Sequence, residues 1–235
     1  MCSAEKEINM TFKYEMHIHT RQGSACARNT GAQMADYLKE LGYTGAVITD
    51  HFFNGHTAVR RGLPWEQAVE DFCAGYEDAR RRGEEIGLDV FFGFEYAYHG
   101  TEFLIYGLNK QWLLGNPQIM DMGLRDALAF MREEGGYAVH AHPFRDREYI
   151  TKIRLLPELT DAVESHNCNN PAYVNRKAEA YAAEHGLPQI AGADIHDVGG
   201  YTAGIETYKR AHTVHELINV IQNGDYALIK GKLHA

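Results

Sequence analysis

The stretch EMHIHT, Glu15–Thr20, places two histidines one residue apart in a segment with the pattern of a β-strand. Successive side chains of a strand point to opposite faces, so His17 and His19 point to the same face. Taken alone, this pair is equally consistent with a polar, solvent-facing strand edge and with two ligands of one site. The rest of the chain decides between these two interpretations.

Short apolar runs alternate with longer amphipathic segments along the chain. EMHIH is followed by GAQMADYLKELG, GAVITD, WEQAVEDFCAGYEDARRRGEEIG and DVFFGFE, and later by GYAVHAHP, DAVESHN and PQIAGADIH. This alternation of strands and helices is typical of a parallel sheet. The 235 residues contain no repeat or linker, and about seven strand–helix units in that length predict one closed or nearly closed α/β barrel, a single domain spanning residues 1–235.

The amino-acid composition limits the classes of protein to which this chain can belong. A hydrophobic fraction of 45% with 23% charged residues predicts a packed core and excludes a disordered chain. The formal net charge of −9 argues against a nucleic-acid partner and against a membrane surface, because both bind clustered Lys and Arg. A small anionic substrate at a metal-loaded site stays compatible with this charge.

The cysteines and the hydropathy pattern predict a cytoplasmic protein. The four cysteines are far apart and form no CxxC pair, so neither a zinc ribbon nor a disulfide framework is indicated. No segment has the apolar run of a signal peptide or a membrane span. The sequence carries no indication of an oligomeric state.

Six predicted strands end in histidine or acidic residues. In a barrel, the carboxyl ends of the strands and the loops that follow them form the functional face. The strand ends carry His17 and His19, Asp50 and His51, Glu95, His140 and His142, His166, and Asp194 and His196. The histidines outside this pattern are expected at the surface: His56, His99, His185, His212, His215 and His234.

This recurrence predicts a metal centre. A mixture of imidazole and carboxylate donors at one barrel mouth suits divalent ions. One tetrahedral ion needs only three or four ligands, so the larger set predicts two or three ions with a bridging carboxylate. Such centres are typical of phosphate-ester hydrolysis.

The motifs HIHT, ITDH, GFE, AHPF and GADIH, in this order, resemble the PHP domain, the polymerase and histidinol phosphatase family. The resemblance extends from Met16 to about His196. It implies a distorted (β/α)7 TIM-like barrel that hydrolyses phosphoesters with two or three ions of zinc, manganese or iron.

The resemblance also implies roles for individual residues. His17, His19 and Asp194 match ligands of a first ion, Glu95 matches the bridging carboxylate, and His142 matches a ligand of a second ion. A third ion would be held by His51 and His196. The sequence departs from the family pattern at two positions where a further ligand is common, and the candidates to fill them are His166 (together with Glu164), Glu102 and Cys26.

Other residues at the mouth are predicted to support the ligands or the substrate. Asp50 is expected to hold His51 in one tautomer, and His140 is expected behind His142 on the same face of its strand. Arg145 is the main candidate to bind phosphate, and Arg21 and Arg28 are weaker candidates.

The chemical hypothesis is attack of a metal-bound water, as hydroxide, on phosphorus, with no separate nucleophilic side chain. Neither a GxSxG motif nor a GxxxxGK[ST] loop is present.

The sequence is compatible with three functions. The first is a phosphatase acting on a small phosphorylated metabolite, as histidinol phosphatases do. The second is a phosphodiesterase or nuclease acting on nucleotides or nucleic-acid ends. The third is a noncatalytic barrel that metal ions stabilise. The near-complete ligand set argues against the noncatalytic barrel. The net negative charge of the chain argues against the phosphodiesterase or nuclease.

Overall fold

The computed structural model describes residues 11–148 and 150–233. Its strands are β1 (Phe12–Ile18), β2 (Gly45–Ile48), β3 (Asp89–Tyr98), β4 (Thr101–Tyr106), β5 (Tyr137–Ala141), β6 (Ala162–Asn167), β7 (Gln189–Gly192), β8 (Tyr201–Thr207) and β9 (Tyr226–Leu233). Its helices are α1 (Gly31–Glu40), α2 (Trp65–Ile86), α3 (Lys110–Gly115), α4 (Leu124–Glu133), α5 (Ala172–His185) and α6 (Val214–Asn223), with short 3-10 turns at Pro117–Asp121 and Pro157–Leu159. None of these helices is both long enough and apolar enough to cross a membrane.

The nine strands form one sheet in the order β7-β6-β5-β4-β3-β2-β1-β8-β9. Strands β1, β2 and β3 are parallel, as are β5, β6 and β7, whereas β4 is antiparallel to both of its neighbours. The segment after β7 then pairs with the end of β1: Ile195 N–H donates to the His17 carbonyl at 3.1 Å, and His19 N–H donates to the Ile195 carbonyl at 2.8 Å. The result is a mixed α/β fold with a nearly closed, barrel-shaped sheet.

The regular (β/α)7 count is not confirmed, because β3 and β4 are joined by a tight hairpin without a helix. Tyr98 pairs with Thr101, and the two residues between them, His99 and Gly100, have φ values of 49° and 80°. Two consecutive residues with positive φ are typical of the turn that reverses a chain within a hairpin. The hairpin turns β4 against the direction of β1–β3 and β5–β7.

The core fills the barrel and the layer between barrel and helices. Met16, Val47, Leu104, Val139 and Ile190 belong to one buried cluster with apolar residues of α6. Helices α1 and α2 cover another part of the sheet through a second buried cluster. Helix α1 begins with a capping box in which the Thr30 side chain accepts from Gln33 N–H, which satisfies amides that the first turn leaves unpaired.

Single-residue bulges interrupt β1 and β6. In β1, Glu15 pairs with Ala46 and Ile18 pairs with Ile48, so two residues of β1 face one residue of β2. In β6, the register shifts between Glu164 and His166. A bulge changes the face to which the following side chains point. These shifts decide which side chains of both strands reach the barrel mouth.

The buried carboxylate of Glu15 ties three segments together at the seam of the barrel. Its Oε1 accepts from the N–H groups of Met16 at 3.1 Å, His17 at 3.2 Å and Ala193 at 2.9 Å, and its Oε2 accepts from Ala203 N–H at 2.8 Å. These amides belong to β1, to the segment after β7 and to β8. Burial raises the pKa of Glu15 to about 7, although the backbone amides oppose this rise.

We therefore expect Glu15→Gln to destabilise the fold, because the amide would turn an N–H toward a buried N–H donor while keeping the shape. The expected loss is about 2–4 kcal/mol in the free energy of unfolding, measured by urea denaturation above the pKa of Glu15. The exposed control Glu133→Gln should change it by less than about 0.5 kcal/mol. A Glu15→Gln protein as stable as the control would contradict this role.

Candidate metal centre

The residues of the candidate centre come from the carboxyl ends of the barrel strands. His17 is in β1 and His19 directly follows it, Glu95 is in β3, and His142 and Asp194 follow β5 and β7. All five are buried. His142 and Asp194 have φ values of 30° and 54°, a left-handed conformation that costs about 1–2 kcal/mol in non-glycine residues and occurs often at functional sites.

The innermost group joins β1 to the segment after β7. The Nε2 atoms of His17 and His19 are 3.0 Å apart. Asp194 Oδ1 lies 3.3 Å from His17 Nε2 and 3.0 Å from His19 Nε2. Three residues that are far apart in sequence thus converge on one point, as expected if the first and last parallel strands are neighbours.

Glu95 lies between several imidazoles. Its Oε1 is 3.3 Å from His17 Nε2 and 3.1 Å from His142 Nε2. Its Oε2 is 2.6 Å from His51 Nδ1 and 3.6 Å from His19 Nε2. A carboxylate in contact with four imidazoles has the position expected of a bridging ligand.

Among the described residues, four sets of donor atoms are compact enough to hold an ion, with all atoms of a set within 4.8 Å of one another. The sets are His17, His19 and Asp194; His17, Glu95 and His142; His19, His51 and His196; and His51, Glu95 and Glu102. The structure therefore brings together all seven main ligand candidates and also Glu102, whose Oε2 lies 3.6 Å from His142 Nε2. Cys26 is half-buried at the rim of this cluster and hydrogen-bonds to His51 and His196.

Hydrogen bonds on the far side of the rings orient His17 and His19. His17 Nδ1 lies 2.9 Å from Glu164 Oε1, and His19 Nδ1 lies 3.0 Å from Ser24 Oγ. Ser24 Oγ donates to Asp50 Oδ1 at 2.7 Å, so it accepts from His19. When both imidazoles are neutral, as metal binding requires, these contacts place the ring proton of each on Nδ1 and leave the Nε2 lone pairs facing the centre.

This arrangement fits a bound cation. Two Nε2 lone pairs 3.0 Å apart repel each other unless a proton or a metal ion lies between them. In addition, His51 Nδ1 and Glu95 Oε2 are buried and close but have no hydrogen bond of acceptable geometry. A single proton relieves only one of these contacts, whereas divalent ions relieve all of them. The mixed donor set suits zinc, manganese and iron.

The surroundings of the cluster shift the pKa values of His17 and His19 in opposite directions. Burial lowers the pKa of His17, but Asp194, Glu164 and Glu95 outweigh burial and hold it well above its usual range. Burial and the neighbouring His51 hold the pKa of His19 well below its usual range. The pKa of Glu95 is held well below its usual range by His51 and His17 in spite of burial.

Asp50 supports a different histidine from the one expected. Its carboxylate accepts from Thr20 N–H at 2.6 Å, Thr20 Oγ1 at 2.7 Å and Ser24 Oγ at 2.7 Å. It therefore orients His19 through Ser24 and has no hydrogen bond to the His51 ring. The loop after β1 folds back over the strand end, which the sequence pattern does not reveal.

His140 does not lie behind His142 on the same face. Its ring stacks on Phe103 with 4.5 Å between centroids and meets Tyr181 of α5 edge-on at 6.2 Å. Burial lowers its pKa to about 3. The alternation of a regular strand ends here because His142 already has a left-handed backbone.

The structure also does not bring His166 into the cluster. The bulge in β6 turns His166 toward α5, where its Nδ1 lies 3.4 Å from Asn175 Nδ2. Glu164, two residues earlier, reaches the centre and bonds to His17. A regular strand would place Glu164 and His166 on one face, and for this reason both were predicted near the metal centre.

The arginine candidates lie in three different environments. Arg145 is at the mouth, where its Nη2 donates to Asp194 Oδ2 at 2.6 Å and to Asn167 Oδ1 at 3.1 Å, and its Nε donates to Asn170 Oδ1 at 3.2 Å. Arg28 is 79% exposed and pairs with Asp197. Arg21 is exposed.

The histidines assigned to the surface are exposed where the structure describes them. These are His56, His99, His185, His212 and His215. His234 lies outside the described residues. The supporting roles of Glu15, Ser24 and Asn167 were not predicted, because nothing in their local sequence distinguishes them from other polar residues.

Comparisons with known proteins find similarity of structure only. The chain matches no protein-family model and no curated protein sequence. A two-domain protein from Bacteroides vulgatus that contains a predicted PHP-like metal-dependent phosphoesterase is 16% identical, with a TM-score of 0.71 over 96% of this chain. This chain spans 65% of that protein's length.

Two further solved structures share the fold. A protein from Bifidobacterium adolescentis named as a candidate metal-dependent phosphoesterase is 16% identical, with a TM-score of 0.54 over 80% of this chain and 89% of its own. An amidohydrolase from Chromobacterium violaceum with bound sulfate and no metal is 14% identical, with a TM-score of 0.51 over 80% of this chain and 88% of its own. At these identities the similarity establishes the fold.

If His17, His19 and Asp194 hold one ion, His17→Ala and Asp194→Ala should each lose about one metal equivalent. The double variant should lose little more, because residues that act as a unit are non-additive. Metal analysis of the purified variants measures this, with the exposed His212→Ala as the control that keeps wild-type content. Wild-type content in His17→Ala would show that the paired imidazoles do not hold an ion.

Removing the ions should leave the barrel folded, because its large apolar clusters do not depend on metal as a zinc finger does. Far-ultraviolet circular dichroism before and after chelation measures this. Loss of the signal on chelation would indicate structural ions.

Proposed function

We propose that this chain is a metal-dependent phosphoesterase whose substrate is a small phosphomonoester. The observation that carries the proposal is the convergence of seven buried or half-buried His, Glu and Asp donors at the barrel mouth, with the Nε2 atoms of His17 and His19 only 3.0 Å apart. Two of the solved structures with this fold bear names that include metal-dependent phosphoesterase. The sequence motifs of the PHP family support the same activity.

The donor sets assign each residue a role in this proposal. His17, His19 and Asp194 would hold a first ion, and His142 with Glu95 would hold a second, with Glu102 as a further carboxylate. A third ion would lie at the rim between His19, His51 and His196, with Cys26 beside this set as a further ligand. Divalent ions bound in this way lower the pKa of water and offset negative charge on a phosphoryl group.

The protein's own groups bind and orient the ester. Arg145 is fixed by Asp194, Asn167 and Asn170, and its Nη1 group makes no hydrogen bond to a described residue. This group is available to donate to a phosphoryl oxygen. No side chain is assigned as a covalent nucleophile.

The charge of the chain favours a small monoester over nucleic acid. A nuclease depends on basic side chains along the phosphate backbone, whereas this chain has a net charge of −9. The charge of a phosphomonoester would be offset locally by the ions and Arg145.

The metal-loaded protein should hydrolyse p-nitrophenyl phosphate faster than bis(p-nitrophenyl) phosphate, and chelation should abolish both activities. Initial rates after reconstitution with zinc, manganese or iron measure this, and His212→Ala should keep the wild-type rate. A faster rate on the diester would indicate a phosphodiesterase. No metal-dependent turnover of either ester would favour a noncatalytic, metal-stabilised barrel.

Cys26 should supply a thiolate to the rim ion. Burial alone would raise its pKa, but hydrogen bonds with His196 and His51 lower it to about 6, which favours the thiolate form. Protein reconstituted with cobalt should show a thiolate-to-cobalt charge-transfer band that Cys26→Ser abolishes and Cys168→Ser retains. A band that persists in Cys26→Ser would exclude this thiol as a ligand.

A further inference from the structure

Two cavities that share the lining residue Tyr201, one lined by candidate ligands and the other by the flank of α5, together form what we name the rim groove. Its inner part, a cavity of about 160 Å³, is lined by residues that include Asp194, His196, Gly200 and Tyr201. Its outer part, a cavity of about 310 Å³, is lined by residues that include Tyr201, His166, Asn170, Arg176 and Lys230. Tyr201 lines both parts.

The rim groove is large enough for a ligand. Small-molecule sites begin at roughly 300 Å³, which the outer cavity reaches at about 310 Å³. Tyr201 is 43% exposed and is an aromatic side chain common to the linings of both cavities. The inner cavity alone would accept only a small group, so a ligand that fills both parts must be elongated.

The outer part of the rim groove carries an uncompensated positive charge. Lys230 is paired with Glu179 at 2.6 Å, so these two charges offset each other. Arg176 has no carboxylate within ion-pair distance among the described residues, although it lines the same cavity. The acidic Asp197 of the inner part is paired with Arg28. Arg176 is therefore the group that would attract an anion.

The turn between β6 and α5 connects this groove to the metal centre. Asn169 Nδ2 donates to the carbonyls of Ala193 and Asp194, both at 3.0 Å. Asn167 and Asn170 accept from Arg145, the candidate phosphate-binding residue. Asn170 also lines the outer cavity. These contacts hold the groove in a defined position relative to the site where the phosphoryl group would bind.

We propose that the leaving group of the substrate extends along the rim groove, packs on Tyr201 and ends in a second anionic group that Arg176 binds. This inference rests on the proposed function for the position of the phosphoryl group. It makes the substrate an elongated ester with anionic groups at both ends, such as a bisphosphate or a phosphorylated carboxylic acid. The small neutral leaving groups of simple phosphate esters would leave the groove empty.

Binding of non-hydrolysable phosphonates to the metal-loaded protein tests this inference. Calorimetry would compare α,ω-alkane bisphosphonates and ω-carboxyalkyl phosphonates with simple alkyl phosphonates of the same chain length, over a series of increasing lengths. At the length that spans the groove, one of the two-headed series should bind about tenfold more tightly, the factor typical of one charge-assisted hydrogen bond. The series that gains affinity identifies the second group as phosphate-like or carboxylate.

Matched variants locate the second anionic group. Arg176→Gln should remove the tenfold preference, whereas Lys177→Gln, which removes one positive charge from the next position of α5, should keep it. A preference that survives in Arg176→Gln, or an absence of preference at every length, would overturn the inference.

The same titrations distinguish failure of the inference from failure of the proposed function. Binding of simple phosphonates without a two-headed preference refutes only the second anionic site. Absence of binding by any phosphonate refutes the phosphoryl site and the inference with it. A two-headed preference without turnover of any ester would keep the second anionic site and refute the hydrolytic activity.

Discussion

The meeting of β1 with the segment after β7 is the constraint on which the rest of the molecule depends. The buried carboxylate of Glu15 accepts hydrogen bonds from amides of both segments and of β8, and so reinforces the backbone pairing at the seam where the barrel closes. A buried carboxylate is tolerated only when hydrogen bonds replace its lost hydration. Because Asp194 reaches His17 and His19 only across this seam, barrel closure and assembly of the centre are one event.

The electrostatics of the centre follow from what lies behind the ligands. Glu164 and the Ser24–Asp50 pair place protons on the outer nitrogens of His17 and His19, and so direct two lone pairs inward. Glu95 contacts donors of every candidate ion position. Occupancy of one position therefore changes the charge that the next ion meets, and the ions are expected to bind in coupled steps.

The sequence predicted which donor residues converge better than it predicted how the strands that carry them are connected and paired. His17, His19, Glu95 and Asp194 could be grouped because parallel strands gather their carboxyl ends at one mouth. The hairpin between β3 and β4 and the bulge that separates Glu164 from His166 depend on pairing with other strands, which local patterns do not encode. The predicted placement of His140 was wrong for a different reason, because the left-handed backbone of His142 ended the alternation of the strand.

The left-handed backbone at His142 and Asp194 restricts how these two positions can vary. A β-branched residue would lose the donor atom and also strain the chain, whereas Asn accepts this conformation and Gly adopts it freely. Among related sequences, Gly or Asn at either position would preserve the outline of the mouth after the ligand itself had disappeared. The shape of the barrel mouth and its capacity to bind ions can therefore be lost separately in evolution. A related protein with the same mouth shape is thus not necessarily an active enzyme.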